Sequence, residues 1–257
     1  MTFSIITIVK NAPQDLEKTI DSVRMQKLKD YEYIVVDGGS DHETQEIIKK
    51  NKQFINLYIS EPDEGIYFAL NKGLMVSSGN WINFLNAGDI YASNETLTII
   101  KQNLDVSKSL VFSNLYHLNT TGNLVQINQQ IPFVSGIYFS INHQSAFFNK
   151  AKLGQLLLHD TTYKVAADTD LFFRVYFKDP KNFALQIQNP LIVYKLGGYS
   201  MKFYNKMIEE RMHIVKKYVK NPILRHYNLI NLTSKNVHNS RFLKFYNKSI
   251  GKILPIF

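Results

Sequence analysis

The chain has 257 residues, 45% of them hydrophobic, and a formal charge of +9. That length and apolar share allow one large domain, or a domain plus an appendage, around a substantial core, and they exclude global disorder. With no cysteine, disulfides and thiolate metal sites are excluded and a reducing compartment is the natural setting, while the positive excess points to an anionic partner: nucleotide phosphate, nucleic acid or an anionic membrane surface.

Met1-Thr2-Phe3-Ser4 runs straight into a strand-like segment, without the basic and apolar regions of a secretory leader. No run of about 18 uncharged apolar residues reads as a membrane span. Phe3 to Val9 is rich in β-branched residues and short, a buried strand, and Lys10-Asn11-Ala12-Pro13 breaks it. Leu16, Ile20 and Val23 then recur at helical spacing between Asp15 and Met25. Tyr31 to Val36 is a second strand, ending in Asp37-Gly38-Gly39-Ser40-Asp41, and Glu43 to Lys50 reads as a helix. Asn56 to Ser60 is a third strand, Glu61-Pro62-Asp63-Glu64-Gly65 a loop, and Ile66 to Ser77 a helix with Ile66, Leu70 and Leu74 on one face. Gly79 ends it, and Trp81 to Leu85 is a fourth strand that stops in Asn86-Ala87-Gly88-Asp89.

Strand and helix alternate through this half, which predicts an α/β fold with a mostly parallel central sheet and helices on both faces. Ligands of such sheets bind outside the carboxyl ends of the strands. Three strand ends, Lys10-Asn11, Asp37 to Ser40 and Asn86 to Asp89, open on that one edge. Their convergence is the main reason to read Asp37 and Asp89 as site residues rather than turn formers.

The second half is less regular. Leu110 to Leu118 reads as a strand, Asn119 to Asn123 as a hairpin turn and Leu124 to Ile127 as its partner. Pro132 to Phe148 carries His143-Gln144-Ser145. Asp168 to Phe177 is predicted helical, Asn189 to Leu196 a strand followed by Gly197-Gly198-Tyr199-Ser200, and Lys202 to Lys220 a helix with Met207, Ile208, Met212, Val215 and Val219 in one stripe. From Lys202 onward the only acids are Glu209 and Glu210, and the tail from Leu224 to Phe257 interleaves basic with apolar and aromatic residues. That composition suits a membrane surface, single-stranded nucleic acid or a solvated helix face.

Asp89 at the mouth of a buried strand suits a Mg²⁺ or Mn²⁺ site shared with substrate phosphates, and it equally suits a turn. Asp168 and Asp170 head a helix, where carboxylates cap N-terminal N–H groups and where a cleft carboxylate acts as a general base. His143 and Gln144 are a polar pair among apolar residues. No Gly-x-Gly-x-x-Gly follows the first strand, no Gly-rich Lys-Ser/Thr loop and no Gly-x-Ser-x-Gly elbow occurs, and no His or Cys spacing supports zinc.

The ordered motifs resemble family 2 glycosyltransferases of the GT-A fold, over roughly residues 3 to 200. They are Ser4 to Asn11, Tyr33 to Asp41, Ser60 to Gly73 with Gly79, Phe84 to Asp89, His143-Gln144, Ala167 to Leu171 and Gly197 to Ser200. The stretch Ser60 to Gly73 is similar to that of bacterial enzymes that assemble surface polysaccharides. The resemblance implies an inverting transferase that moves a sugar from a nucleotide-diphosphate-sugar, a UDP-sugar above all, to a hydroxyl of a glycan or polyprenyl-linked acceptor. Residues 1–105 would form the nucleotide-sugar-binding half, 106–200 the acceptor half, and 201–257 a basic, mainly helical C-terminal extension in peripheral contact with an anionic membrane. The expected location is cytoplasmic, at the inner face of the cell membrane.

By the same resemblance, Thr7, Val9, Asn11, Asp37, Asp63, Asn71, Lys72, Ala87 and Gly88 would contact the donor. Asp89 would ligate a divalent metal, Mn²⁺ or Mg²⁺, and Asp168 would be the catalytic base. His143, Gln144, Asp170 and Arg174 would line the acceptor side. Asn86 and Gly88 stand where many members of the family carry Asp. A nucleotide-binding module without transferase activity is the alternative that this loss of charge motivates.

Overall fold

A computed structural model describes residues 1–118, 123–129, 141–222 and 225. The expected hairpin turn from Asn119, the start of the segment from Pro132, and nearly all of the basic tail lie outside the described residues.

The first half follows the predicted alternation: β1 (Phe3–Val9), α1 (Pro13–Arg24), β2 (Tyr31–Asp37), α2 (His42–Lys50), β3 (Leu57–Ser60), α3 (Ile66–Val76) and β4 (Trp81–Phe84). Then come β5 (Ile90–Tyr91), α4 (Thr96–Gln102), β6 (Leu110–Leu118), β7 (Leu124–Ile127), β8 (Ala146–Asn149), α5 (Lys150–Leu153), α6 (Ala167–Lys178), β9 (Ala184–Tyr194), α7 (Tyr199–Lys202) and α8 (Tyr204–Tyr218). The strands form one sheet in the order β3-β2-β1-β4-β8-β6-β9-β5, with β7 also paired to β6. The first four are mutually parallel. Beyond β4 the sheet is mixed: β8 runs antiparallel to β4 and β6, while β9 runs parallel to β6.

Side chains of a strand alternate between the two sheet faces, so each strand feeds two cores. Ile6, Ile34, Val36, Phe84 and Phe148 pack with α3, α6 and α8 on one face. Phe3, Ile5, Tyr33, Val35 and Phe147 pack with α1, α2 and α4 on the other. Close approach of α3 to the sheet requires Gly73, where a Cβ would come within 2.5 Å of Ile6 Cγ2.

Two boundaries differ from the predicted ones. The strand expected from Asn189 begins at Ala184, and its pairing with β6 shifts register between Ile187 and Pro190. Proline has no N–H to give the ladder, so a bulge falls there. The helix expected over 202–220 is split at Phe203 into α7 and α8. Ile214, Val215 and Val219 pack in the same core as Ile6, Phe84 and Phe172. No described helix is long and apolar enough to cross a membrane.

Candidate active site

The carboxyl ends of β1 and β4 open into a cavity of about 690 Å³. Val9, Lys10 and Asn11 line it from β1, Asn86, Ala87 and Asp89 from the β4 end, and Asp63 and Glu64 from the loop before α3. His143, Gln144 and Asp168 line it beside the β4 end, and Tyr67, Tyr194, Lys195, Lys202 and Arg211 also contribute. The strand ends are stitched together by backbone: Ala87 N–H donates to Ile8 O (3.2 Å), Gly38 N–H to Val9 O (2.9 Å), and Asn11 N–H to Ser40 Oγ (2.8 Å). Asn11 takes a left-handed φ of 51° to turn there, and its Oδ1 accepts from Asp41 N–H at 2.8 Å.

Asp168 is in the first turn of α6, and part of its side chain reaches the cavity. His143 Nδ1 lies 3.4 Å from its Oδ2, and Thr169 N–H donates to its Oδ1 at 2.7 Å. His143 Nε2 in turn lies 3.2 Å from Asn86 Nδ2. An amide nitrogen only donates, so this contact makes Nε2 the acceptor and leaves the ring proton on Nδ1, facing Asp168. Burial acts to raise the Asp168 carboxyl, but His143, the charge of Arg211 and Thr169 N–H outweigh it and hold it at about 2. Asp168 is therefore ionised at neutral pH.

Asp89 is 4% exposed. Its Oδ1 accepts from Lys195 N–H at 2.9 Å. Burial pushes its carboxyl up to about 7, against the Lys195 hydrogen bond and the Gln144 side chain. Beside it, Asn86 Oδ1 and Gln144 Oε1 are enclosed with no hydrogen-bond partner among the described residues. Among the described residues no group of three His, Cys, Asp or Glu is placed to hold a metal ion. The oxygen donors Asp89 and Asn86 nevertheless fit a hard divalent cation, which completes its shell from waters and substrate phosphates. A cation at this place would relieve both the orphaned amide oxygen and the raised carboxyl.

Gly88 does not line the cavity, and its lack of a side chain has a structural reason. Its φ is +100°, and a Cβ would meet Lys195 Cδ at 2.8 Å. The space that a carboxylate would need is filled by Lys195, which also pairs with Asp15 at 2.5 Å.

Several expected contacts require correction. Asp170 and Arg174 are not on the acceptor wall. Asp170 is fully buried beneath α6, bonded to Arg174 Nε (2.7 Å), Lys217 Nζ (3.0 Å) and Tyr218 Oη (3.0 Å), and Arg174 also donates to the carbonyls of Leu156 and Leu158. Asn71 clamps the backbone of His159 with two bonds of 2.8 Å, and Lys72 pairs with Glu61 at 2.7 Å. Thr7 is buried with its hydroxyl donated to Leu85 O at 2.7 Å. Asp37 is enclosed, its carboxylate taken by Ser40 N–H, Ser60 and Gln45. None of these six lines the cavity.

Sequence reasoning missed three contributors. Tyr67 of α3 lies with its hydroxyl against the N–H groups of Ala167 and Asp168, and burial raises its pKa. Glu210 of α8 accepts from the N–H groups of Lys164 (2.9 Å), Val165 (2.9 Å) and Ala166 (3.0 Å), which fixes the chain entering α6. Arg211 follows it into the cavity. The one available signal was the pair Glu209-Glu210, isolated in a basic segment.

A parallel four-stranded half, a mixed second half, and a cavity between β1, β4 and α6 together define a transferase of the GT-A fold. The chain belongs to glycosyl transferase family 2, whose profile matches residues 4–180. It is a glycosyltransferase. A "PGL/p-HBAD biosynthesis glycosyltransferase" of Mycobacterium bovis is 26% identical over 219 residues, covering 82% of this chain and 83% of the relative. An uncharacterized glycosyltransferase of Mycobacterium tuberculosis is 26% identical over 178 residues, 67% of this chain and 68% of the relative. Among solved structures, residues 1-349 of TarS from S. aureus in complex with UDP-GlcNAc align at a TM-score of 0.65 and 16% identity, over 95% of this chain and 75% of that one. Mannosyltransferase PcManGT from Pyrobaculum calidifontis, in complex with GDP-Man and Mn2+, aligns at 0.65 and 15%, over 99% and 76%. At those identities the likeness is one of fold.

Proposed function

We propose that the protein is an inverting glycosyltransferase that moves a sugar from a nucleotide-diphosphate-sugar to a hydroxyl of a glycan or lipid-linked acceptor in the building of a surface polysaccharide. The observation that carries this reading is Asp168 on the cavity lining, oriented by His143, whose other ring nitrogen meets Asn86 of the Asn86–Asp89 turn. The family 2 order of these residues supports reading Asp168 as the base and Asp89 with Asn86 as the oxygen donors for a cation, linked through His143 at one cavity. The nucleotide-sugars held by TarS and PcManGT, and the PGL/p-HBAD biosynthesis named for the mycobacterial relative, support the substrate classes.

In this reading the donor rests between Val9, Asn11, Asp63 and Ala87. The acceptor hydroxyl approaches Asp168 from the side of His143 and Gln144. Asp168 takes the hydroxyl proton as the oxygen attacks the anomeric carbon, and the bond from that carbon to the diphosphate breaks on the opposite face, inverting the centre. Asp89 and Asn86 would hold the divalent cation, which neutralises charge on the departing diphosphate. His143 keeps Asp168 in one rotamer and ionised.

The test is a panel of nucleotide-sugars incubated with lipid-linked and free glycan acceptors, reading released nucleoside diphosphate with Mn²⁺ and with chelator. Acceptor-dependent release from a donor, abolished by chelator, is expected. Binding of nucleotide without release from any donor would instead favour a non-catalytic module.

A further inference from the structure

Arg211 enters the cavity from α8, an element beyond residues 4–180 that the family profile matches. Its Nε is enclosed and has no hydrogen-bond partner among the described residues. A guanidinium carries five N–H donors in a rigid fork and no acceptor, and holding it partly desolvated without a partner is costly. The carboxylate whose charge it feels, Asp168, already has its oxygens taken by His143 and Thr169 N–H.

The placement of Arg211 is built rather than incidental. Its neighbour Glu210 ties α8 to three backbone N–H groups ahead of α6. One and two turns further on, Ile214 and Val215 are buried in the core, and Lys217 and Tyr218 bind Asp170. The helix therefore cannot roll to carry Arg211 out to solvent. Lys202 lines the same cavity and has no ion-pair partner among the described residues. Its short helix is held by Tyr199 against Phe203 (4.8 Å between ring centroids), with Lys164 Nζ 4.1 Å over the Phe203 ring. Gly197 and Gly198 line the same cavity, and a Cβ at either would meet nothing within 4 Å, so the lining is open at that point.

We infer that Arg211, with Lys202, is a diphosphate anchor. The fork of Arg211 suits bidentate contact to phosphate oxygens, and Lys202 adds a movable point charge at the cavity's outer side. The inference rests on the transferase reading, in which a diphosphate enters the cavity from two sources. One is the leaving group of the donor, and the other is the link between sugar and lipid in a polyprenyl-type acceptor. Both present the same chemistry to Arg211.

Calorimetry on the full chain with Mn²⁺ present separates the sources. The first probe is a nucleoside diphosphate, UDP and GDP in turn; the second is geranyl diphosphate, titrated with the nucleoside diphosphate saturating. Arg211→Gln is expected to weaken at least one probe about tenfold or more, Arg211→Lys less, and Lys202→Gln less again. Weakening confined to the nucleoside diphosphate assigns the leaving group, and weakening confined to geranyl diphosphate assigns the acceptor. Unchanged affinities in folded Arg211→Gln, checked by its melting curve, would overturn the inference, as would a wild-type chain that binds neither probe. Should Arg211→Gln not fold, unchanged affinities in both Arg211→Lys and Lys202→Gln would overturn it. Wild-type protein that binds these diphosphates with Arg211-dependent affinity yet turns over no donor would defeat the transferase reading and leave the anchor standing.

Discussion

At the scale of single residues, the proposed base Asp168 must stay ionised while partly buried. The hydrogen bond from His143 is foremost among the contacts that oppose burial. Removing it leaves desolvation less opposed, so the carboxyl pKa must rise. A base whose pKa rises is protonated over more of the acidic range. His143→Ala is therefore expected to lower kcat and to move the acid limb of the kcat/KM profile to higher pH. A profile with the limb unmoved would mean that His143 does not act through Asp168. The chain Asn86, His143, Asp168 also explains why the Asn at position 86 is compatible with activity: it sets the histidine tautomer from one side and offers an unpartnered oxygen on the other.

At the scale of elements, α6 and α8 are joined by a buried carboxylate. The resemblance puts Asp170 on the acceptor side with the base, yet at about 100° per residue a position two further along a helix points to nearly the opposite side. Its partners Lys217 and Tyr218 lie far along the chain, beyond any local pattern. Asp170→Ala strips the carboxylate from a cluster of two cations, and its expected cost is on the order of 3–5 kcal/mol of stability, read as a lowered melting temperature. A raised acceptor KM at unchanged melting temperature would restore the acceptor-side role. Periodicity and composition sufficed for β1 to β4 and their helices, since each is a strong local signal that parallel packing reinforces. They failed at β8 and α4, elements of four and seven residues that are too short to show a period, and at β9, where Pro190 interrupts the ladder. The wall formed by β1, β4 and α6 was legible because small polar residues end buried strands. The contributions of Tyr67, Glu210 and Arg211 were not, because each acts through a long-range contact.

At the scale of the whole molecule, α8 packs into the same core as α3 and α6. Met207, Ile214, Val215 and Val219 are buried, and Glu210 holds the approach to α6. Burial of side chains this size contributes about 1.5–3 kcal/mol each, comparable in sum to the ~5–15 kcal/mol that holds a domain folded. A chain ending at residue 200 is expected to lose its cooperative melt. A chain ending at residue 225 is expected to keep it, because the elements described above remain intact. Cooperative folding of the shorter chain would contradict this.

The central claim is that Asp168 deprotonates the acceptor during sugar transfer. Single-turnover transfer by Asp168→Asn, at saturating donor and Mn²⁺, tests it most directly, because the substitution keeps shape and removes the charge. The account predicts a fall of about 10²–10⁴-fold in the transfer rate, with donor affinity nearly unchanged. Transfer at the wild-type rate would contradict it.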